Sequence, residues 1–326
     1  MNAWQAFDAK LSLSLIPVPT LGPDDEVVRV SFAGICGSDV AKLTKELIPD
    51  PGRPWTPGHE IVGTDAAGHE VVVDPLVSCG ACARCRAGEI NLCPDLEMIG
   101  WHRPGGFSEY VAVPRRNAIP LQAGLPAARA VLTEPTAVAV HGVRCGVPIK
   151  PPGRLAVVGA GTLAIASAAY AATLGWDVTI FARSAAKSTR GLAHAVEVST
   201  EPPQPRAYDV VIDAAAGRDD LPFVTALDAV RDGGVIVVQT AYHPGVKFSR
   251  DLRDLIRRAV AVRGSFSFCR QNGRDDFTEA MRFLTDDGLW ADPLVGDRFA
   301  LERLPDALNA LIHRDRSGIS KAILCS

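Results

Sequence analysis

Aromatic residues are scarce in this chain of 326 residues, because Trp, Tyr and Phe together make up 6% of it. A folded core must therefore depend mainly on Val, Ile, Leu and Ala. Long hydrophobic runs are also missing: the longest, residues 163–174, is rich in Ala and too short to cross a bilayer. No charged segment followed by an apolar one opens the sequence, so we expect a cytoplasmic protein with no membrane partner.

The chain also lacks an excess of positive charge. It has 34 basic residues and 37 acidic ones, which gives a net charge of −3. Non-specific nucleic-acid binding needs clustered Lys and Arg, so we expect no nucleic-acid partner. The composition, 47% hydrophobic and 22% charged, is typical of a globular protein, and the length suggests two domains. A small-molecule substrate is the partner that remains.

The order of apolar segments predicts two kinds of architecture. Residues 1–125 contain strand-like fragments such as Glu26–Phe32 and Val71–Val73, separated by connections rich in Gly and Pro, which favours a β-rich domain. From residue 153 onward, apolar runs such as Arg154–Val158 and Val178–Phe181 alternate with helix-competent stretches. This alternation predicts an α/β fold with a doubly wound parallel sheet that is covered on both faces.

A glycine pattern follows the first of these apolar runs. It has the form G-x-G-x-x-A and comprises Gly159, Gly161, Thr162, Leu163 and Ala164. The first glycine permits a tight turn, the second lets the backbone approach a pyrophosphate, and the alanine lets helix and strand pack closely. Free N–H groups at the helix start then face the phosphates. Its position between a strand and a helix predicts a dinucleotide site, although a strand–turn–helix unit without a ligand also favours glycine.

The end of the next strand bears on which nicotinamide nucleotide is preferred. An acidic residue there would hydrogen-bond the adenosine ribose and repel a 2′-phosphate. This chain has instead Arg183, Ser184 and Lys187, and it has no carboxylate between Asp177 and Glu197. Two cations and a hydroxyl can neutralise and hydrogen-bond a phosphate, so NADP(H) is expected over NAD(H). The alternative is that both cations lie on a solvated helix start.

Four of the eight cysteines fall within 15 residues. They are Cys79, Cys82, Cys85 and Cys93. This spacing suits a tetrahedral zinc site with four thiolate ligands, which is closed to substrate and therefore structural. Competing interpretations are an iron–sulfur cluster and a pair of disulfides.

A second set of ligand-type residues lies on glycine-rich loops. Cys36 and Asp39 belong to Gly34-Ile-Cys-Gly-Ser-Asp39, His59 and Glu60 follow Gly58, and Glu134 could add a carboxylate. A lone cysteine or histidine is usually a buried structural residue. By themselves, these pieces give only weak support for a catalytic metal site.

Taken together, the motifs resemble the zinc-dependent medium-chain dehydrogenase/reductase family, in its polyol-dehydrogenase-like branch. Those that carry the resemblance are the segment around Cys36, Gly58-His-Glu60, the four cysteines, Gly105-Gly-Phe-Ser-Glu-Tyr110, Glu134-Pro-Thr-Ala-Val-Ala-Val-His141, the pattern at Gly159 and the strand at Lys321. The resemblance implies a GroES-like catalytic domain over residues 1–135 and 275–326, with the structural zinc lobe, and a Rossmann domain over residues 136–274. It also implies a homodimer or a homotetramer.

The resemblance implies roles for individual residues. Cys36 and His59 would bind a catalytic zinc, with Glu60 as a ligand or exchangeable neighbour, and Glu134 stands where the family places its remaining protein ligand. Asp39 would orient the ring of His59 from behind, as metal-bound histidines usually require. Ser38 matches the family hydroxyl that passes a proton to or from the substrate oxygen.

Four departures from the family pattern matter. Ala41 stands where many relatives have a histidine that continues the proton relay, so water or another group must serve. The hairpin at residues 62–69 is short, and Ala164 replaces a common third glycine. The segment Trp101–Arg103 lies in a loop that could face the substrate, although surface packing would also explain it.

These expectations combine into one enzymatic function. We expect an NADP(H)-linked alcohol dehydrogenase or ketone reductase that acts on a secondary alcohol of a polyol-, sugar- or cyclitol-like molecule. One alternative is an NADPH-dependent reductase of activated double bonds without catalytic zinc. Another is a non-catalytic protein that binds partners through the cysteine segment.

Overall fold

The structure is a computed structural model that describes residues 1–7, 10–43, 54–145, 152–183, 187–192, 196–215 and 217–326. It divides into two compact units. Unit 1 comprises Met1–Glu134 and Cys269–Ser326, and unit 2 comprises Pro135–Phe268. The sequence placed the second boundary after residue 274, whereas the structure assigns Cys269 and the residues that follow it to unit 1.

The strands of the described residues follow one another along the chain. They are β1 (Asn2–Phe7), β2 (Lys10–Leu15), β3 (Asp25–Gly34), β4 (Glu60–Thr64), β5 (Glu70–Val73), β6 (Leu76–Val77), β7 (Glu97–Met98), β8 (Tyr110–Pro114), β9 (Ala118–Pro120), β10 (Arg154–Val158), β11 (Asp177–Phe181), β12 (Val196–Ser199), β13 (Tyr208–Asp213), β14 (Val230–Val238), β15 (Ala261–Gly264), β16 (Arg298–Ala300) and β17 (Ile323–Cys325).

The α-helices lie between these strands. They are α1 (Gly37–Leu43), α2 (Ala83–Arg86), α3 (Ala127–Ala130), α4 (Thr133–Cys145), α5 (Thr162–Thr173), α6 (Leu221–Ala229), α7 (Leu252–Arg257), α8 (Asp276–Asp286), α9 (Leu304–Ile312) and α10 (Arg314–Ser317). Short 3-10 helices cover Ile90–Leu92, Arg115–Asn117, Lys187–Leu192, Gly288–Leu294 and Leu301–Arg303. None of the helices among the described residues is long and apolar enough to span a membrane.

Unit 1 is built on a sheet in the order β16-β17-β3-β4-β5-β9, and β8 also pairs with β3. Along β3, Val28 and Val30 are buried while Arg29 between them is exposed, which is the period of two expected for a strand with one face in the core. Strands β4 and β17 both pair with β3, one on each side. Residues at the start of β4 and just before β17 are therefore brought to the end of β3.

Unit 2 is built on a parallel sheet in the order β12-β11-β10-β13-β14-β15. Its central strands are buried on both faces: Val157, Ile180 and Ile212 have no exposed surface. That is why they appear in the sequence as continuous apolar runs. The strand order reverses between β10 and β13, where open α/β sheets bind nucleotides. The predicted architecture, a β-rich domain together with a doubly wound parallel-sheet domain, is confirmed.

Candidate active site

Three metal-type side chains converge at the end of β3. Donor atoms of Cys36, His59 and Glu60 all lie within 4.8 Å of one another. Cys36 follows β3, and Glu60 begins β4 directly opposite Gly34 in the strand register. Thiolate, imidazole and carboxylate form a donor set that zinc accepts, at distances of about 2.0 to 2.3 Å from the ion. The three residues therefore fit a zinc site.

Asp39 is buried behind this group and contacts two of its members. One carboxylate oxygen accepts a hydrogen bond from the Cys36 N–H at 3.0 Å, and the other lies 3.5 Å from His59 Nδ1. Burial alone would lower the pKa of His59, but the Asp39 charge outweighs burial and raises it well above its usual value. Because Nδ1 faces Asp39, Nε2 is the His59 nitrogen that remains for a metal.

Glu60 forms a buried ion pair that the sequence did not predict. Its Oε2 accepts a hydrogen bond from Lys321 Nζ, and the two residues are 1% and 3% exposed. Lys321 also donates to the Ile35 carbonyl at 3.2 Å. A Cβ at position 34 would lie 2.0 Å from Glu60 Oε2, so Gly34 leaves the space that this carboxylate occupies.

Glu134 lies in the first turn of α4 and is 7% exposed. Burial, helped by the nearby Glu60 charge, raises the pKa of its carboxyl to about 7 against the opposing charges of His59 and Lys321. Its oxygens do not belong to the three-residue group with donor atoms within 4.8 Å of one another. Of the two glutamates predicted as ligands, the structure brings Glu60 into this group.

Ser38 and Lys42 lie on α1, which begins next to Cys36. The Ser38 side chain is half-buried. Lys42 is 4% exposed, and its Nζ lies 3.7 Å from the centre of the Trp101 ring and 5.9 Å from that of Trp55. Sequence reasoning missed Lys42, although residues four apart on one helix share a face and Ser38 was already a candidate.

The loop at Trp101–Arg103 divides into residues with different tasks. Arg103 forms an ion pair with Asp25 at 2.8 Å, and His102 Nδ1 accepts a hydrogen bond from the Met98 N–H at 3.0 Å. Both side chains thus hold the loop. Trp101 is the member of the three that contacts Lys42.

The four clustered cysteines form a site of their own, the cysteine lobe (Cys79–Cys93). The Sγ–Sγ distances of Cys79 to Cys85 and of Cys82 to Cys93 are both 3.9 Å, and none of the four cysteines of the lobe forms a disulfide. Tetrahedral ligands at about 2.3 Å from a zinc ion lie about 3.8 Å apart, whereas a disulfide needs about 2.0 Å. The lobe therefore fits a four-thiolate zinc site and does not contain the disulfides considered as an alternative.

Backbone N–H groups also point at these sulfurs. The N–H groups of Cys79, Cys82 and Cys85 donate to thiols of the lobe at 3.3 to 3.4 Å. Hydrogen bonds from Ala81 and Cys82 lower the pKa of the Cys79 thiol to about 7. Such donors stabilise thiolates, the form that binds zinc.

In unit 2, the glycine pattern lies at the switch point of the sheet. Gly159 has a φ of +120°, and a Cβ there would lie 3.1 Å from the Ala214 carbonyl after β13. A Cβ at Gly161 would meet nothing within 4 Å, so this backbone is open to a ligand. Gly161 caps α5 without a side-chain hydrogen bond, which leaves the helix N–H groups open to a phosphate. Thr162 and Leu163 open α5, and Ala164 is fully buried. The residues present fit a dinucleotide.

The residues predicted to select NADP(H) are only partly described. Arg183 is exposed shortly after β11 ends. Ser184 and the side chain of Lys187 lie outside the described part of the chain.

Sequence reasoning missed a buried pair at the neighbouring strand end. Asp213 closes β13, has no exposed surface, and accepts a hydrogen bond from the Tyr242 hydroxyl. Burial raises the pKa of Asp213 to about 6, although the Tyr242 hydrogen bond opposes the shift. A polar residue at the end of an apolar run was the available signal.

Comparison with known proteins agrees with this geometry. Residues 22–123 match the alcohol dehydrogenase GroES-like domain. The chain is 32% identical to D-altritol 5-dehydrogenase of Agrobacterium fabrum (strain C58) and 27% identical to L-galactonate-5-dehydrogenase of Escherichia coli (strain K12). The first alignment covers 90% of each protein, and the second covers 94% of this chain and 93% of the relative.

A solved structure extends the likeness to the whole chain. The crystal structure of a dehydrogenase from Sinorhizobium meliloti 1021 bound to NADP is 27% identical, with a TM-score of 0.86 over 100% of this chain and 99% of the other. Together with the fold and the residues assembled at the end of β3, these likenesses identify the chemistry. The chain belongs to the zinc-type medium-chain dehydrogenase/reductase family and is an NAD(P)-dependent alcohol dehydrogenase.

Proposed function

We propose that this enzyme is a zinc-dependent, NADP(H)-linked oxidoreductase that interconverts a secondary alcohol and a ketone on a polyol-, sugar- or cyclitol-like molecule, acting as a reductase. The observation that carries the proposal is the convergence of Cys36, His59 and Glu60, with Asp39 behind His59. Retention of this set argues against a double-bond reductase without catalytic zinc.

The side chains around the reacting oxygen have separate tasks. A zinc ion held by Cys36, His59 and either Glu60 or Glu134 would polarise a carbonyl oxygen or lower the pKa of an alcohol. Asp39 fixes the tautomer of His59, and Lys321 holds the Glu60 carboxylate in place. The Ser38 hydroxyl moves the proton to or from the substrate oxygen. Because residue 41 is Ala, the proton leaves Ser38 through water or another group.

Unit 2 supplies the nucleotide site. Gly161 and the first N–H groups of α5 accommodate the pyrophosphate, and Arg183 pairs with the 2′-phosphate of NADP(H). Ser184 and Lys187 are proposed to assist at that phosphate. An NADP-bound relative supports this preference, and NADPH would favour ketone reduction in the cell.

The substrate class rests on the relatives. The names D-altritol 5-dehydrogenase and L-galactonate-5-dehydrogenase describe polyhydroxylated molecules oxidised at a secondary carbon. We therefore place the substrate of this enzyme among polyols, sugars and compounds derived from them.

We also propose a homodimer or homotetramer. The edge strand β15 is exposed over its whole length, and its Val262 is 43% exposed. On the preceding helix α7, Leu252 and Ile256 are 64% and 79% exposed. Among the described strands β15 pairs on one side only, and exposed apolar side chains on and near such an edge suit pairing with a second copy.

Metal analysis tests the zinc proposal. Purified protein should contain about two zinc ions per chain, by mass spectrometry of the metal. Cys36→Ser should retain about one zinc ion and lose turnover, while Cys82→Ser should lose the zinc of the cysteine lobe. Cys325→Ser, which changes a thiol outside both groups, is the matched control and should retain both ions and full activity. Full turnover in Cys36→Ser would contradict the proposal.

A further inference from the structure

Lys42 is a buried cation beside the candidate active site that the proposed reaction does not use. Its side chain extends from α1, is 4% exposed, and ends with Nζ 3.7 Å from the centre of the Trp101 ring. Trp55 lies on another side, at 5.9 Å. The two indole rings hold the ammonium group in one place by cation–π attraction.

Within the described ranges of the chain, the Lys42 ammonium group has neither an ion-pair partner nor a hydrogen-bond acceptor. Among the residues that the structure describes, no carboxylate oxygen lies within 4.0 Å of Lys42 Nζ and no acceptor forms a hydrogen bond with it. Asp39 lies on the same helix, but its oxygens face the Cys36 N–H and His59. An ammonium carries three N–H donors, and Lys42 Nζ is not among the fully buried polar atoms without a partner, so a small acceptor such as water or a ligand oxygen can reach it. A ligand oxygen can therefore complete the hydrogen bonds of this ammonium group.

The surroundings of Lys42 place this acceptor near the reacting centre. The charges that Lys42 feels most are those of Asp39, Cys36 and Glu134, all at the candidate active site. Lys42 also lies four residues after Ser38 on α1, so both side chains leave the same face of the helix. A substrate that contacts Ser38 thus comes within reach of Lys42.

We propose that Lys42 and Trp101 form a subsite for an anionic oxygen group of the substrate, a carboxylate or a phosphate. The inference rests on the proposed function, because it takes the substrate to bind beside Cys36 and His59. It narrows the substrate class from polyhydroxylated molecules in general to sugar acids or sugar phosphates. Lys42 is a specificity residue, because it binds a part of the substrate that does not react.

One other explanation must be separated by experiment. Lys42 could serve only to balance the negative charges of Asp39, Cys36 and Glu134. In that case, replacing Lys42 would lower the affinity for all ligands of the site equally and would reduce the zinc content. A subsite for anions predicts instead that the loss falls on acidic ligands alone.

Calorimetric binding to the zinc- and NADPH-loaded enzyme tests the proposal without turnover, because the reduced cofactor cannot oxidise the added alcohols. The ligands are a panel of alditols of several configurations, each with its matched aldonate and its alditol phosphate. The wild type should bind its best acid at least about tenfold more tightly than the matched alditol. Whether that acid is an aldonate or a phosphate distinguishes the two sources of the anion.

Substitutions then assign the preference to Lys42. Lys42→Met should lower the affinity for the best acid by roughly 10- to 100-fold, because a charge-assisted hydrogen bond is lost. The affinity for the alditols should change by less than about threefold. Lys42→Arg keeps the charge and should keep most of the preference. Lys42→Gln is a second neutral variant in case Lys42→Met folds poorly, and Lys10→Met, at an exposed lysine, is the control.

The outcomes separate the subsite from the reaction. Equal weakening of acids and alditols in Lys42→Gln, or a wild type that prefers no acid, overturns the subsite. Oxidation of alditols without any preference for acids leaves the proposed function intact and refutes the subsite. Acid binding that depends on Lys42, without turnover of any ligand with NADP, supports the subsite and refutes the proposed reaction.

Discussion

The buried pair between Lys321 and Glu60 yields the sharpest test of how the active site is held together. The two side chains are 2% and 1% exposed and come from residues 261 positions apart in the chain. At an effective dielectric constant of about 20, two unit charges 4 Å apart attract each other by about 4 kcal/mol. Removing one partner also leaves the other charge buried, so Lys321→Met should lower the free energy of unfolding by about 3 to 5 kcal/mol.

A double-mutant cycle isolates the pair from other effects of the substitutions. Glu60→Gln should also be costly, since it leaves the Lys321 ammonium buried. The double variant removes both charges and should lose less stability than the two single variants added together. The difference, the coupling energy, is expected to be about 2 to 4 kcal/mol.

Urea unfolding followed by tryptophan fluorescence measures these energies, and the signal comes mainly from unit 1, which contains Glu60 and Lys321. Trp4, Trp55, Trp101 and Trp290 belong to unit 1, and only Trp176 belongs to unit 2. Zinc content must be determined for each variant, because a metal ion at the site would also neutralise a freed carboxylate. Additive single losses, at equal zinc content, would refute the idea that this ion pair supports the site.

Three further predictions follow from local geometry. Gly68→Ala, at a φ of +90° with open space around it, should cost about 1 to 2 kcal/mol, whereas Gly58→Ala, at +97° against the Phe107 ring, should cost more and reduce zinc content. If urea unfolding showed equal losses of unfolding free energy in the two variants, contact with the Phe107 ring would not matter at Gly58. Arg183→Ala should raise the KM for NADPH roughly tenfold and leave that for NADH nearly unchanged, and a parallel rise in both would show that Arg183 does not select the 2′-phosphate. Val262→Glu should shift the protein toward monomers in light scattering, because it places a charge on the exposed strand β15; an unchanged mass would exclude this edge as the interface.

The fold and the metal-type residues could be predicted because both leave local patterns. The strands of unit 2 are short apolar runs that end at glycines or polar residues, and Arg154–Val158 has the same bounds in sequence and structure. Cys36, Asp39 and His59 lie in glycine-rich segments whose composition is unusual for a core. Such signals do not depend on which distant segment each one meets.

The partners of these residues could not be predicted in the same way. Lys321 reaches Glu60 because β17 and β4 both pair with β3, and the registers of these pairings are tertiary properties. The spacing of four residues from Ser38 was the one signal for Lys42, and it was weak because a lysine on a helix is usually solvated. The sequence likewise offered two carboxylates, Glu60 and Glu134, without the distance of either one from Cys36 and His59, and only the structure shows that Glu60 lies within 4.8 Å of both.

The glycines of the separate motifs are the physical reason that these motifs work as one unit. Gly34 leaves the space for Glu60, whose motif lies on the neighbouring strand. A Cβ at Gly58, just before His59, would lie 2.5 Å from the Phe107 ring, and one at Gly105 would lie 2.2 Å from the Gly58 carbonyl. Real Cβ atoms do not approach other atoms so closely. The absence of a side chain at each of these glycines is therefore what lets the neighbouring segment pack against it. A larger side chain at any of these three glycines would therefore act on the metal-type residues through packing, without touching a metal itself.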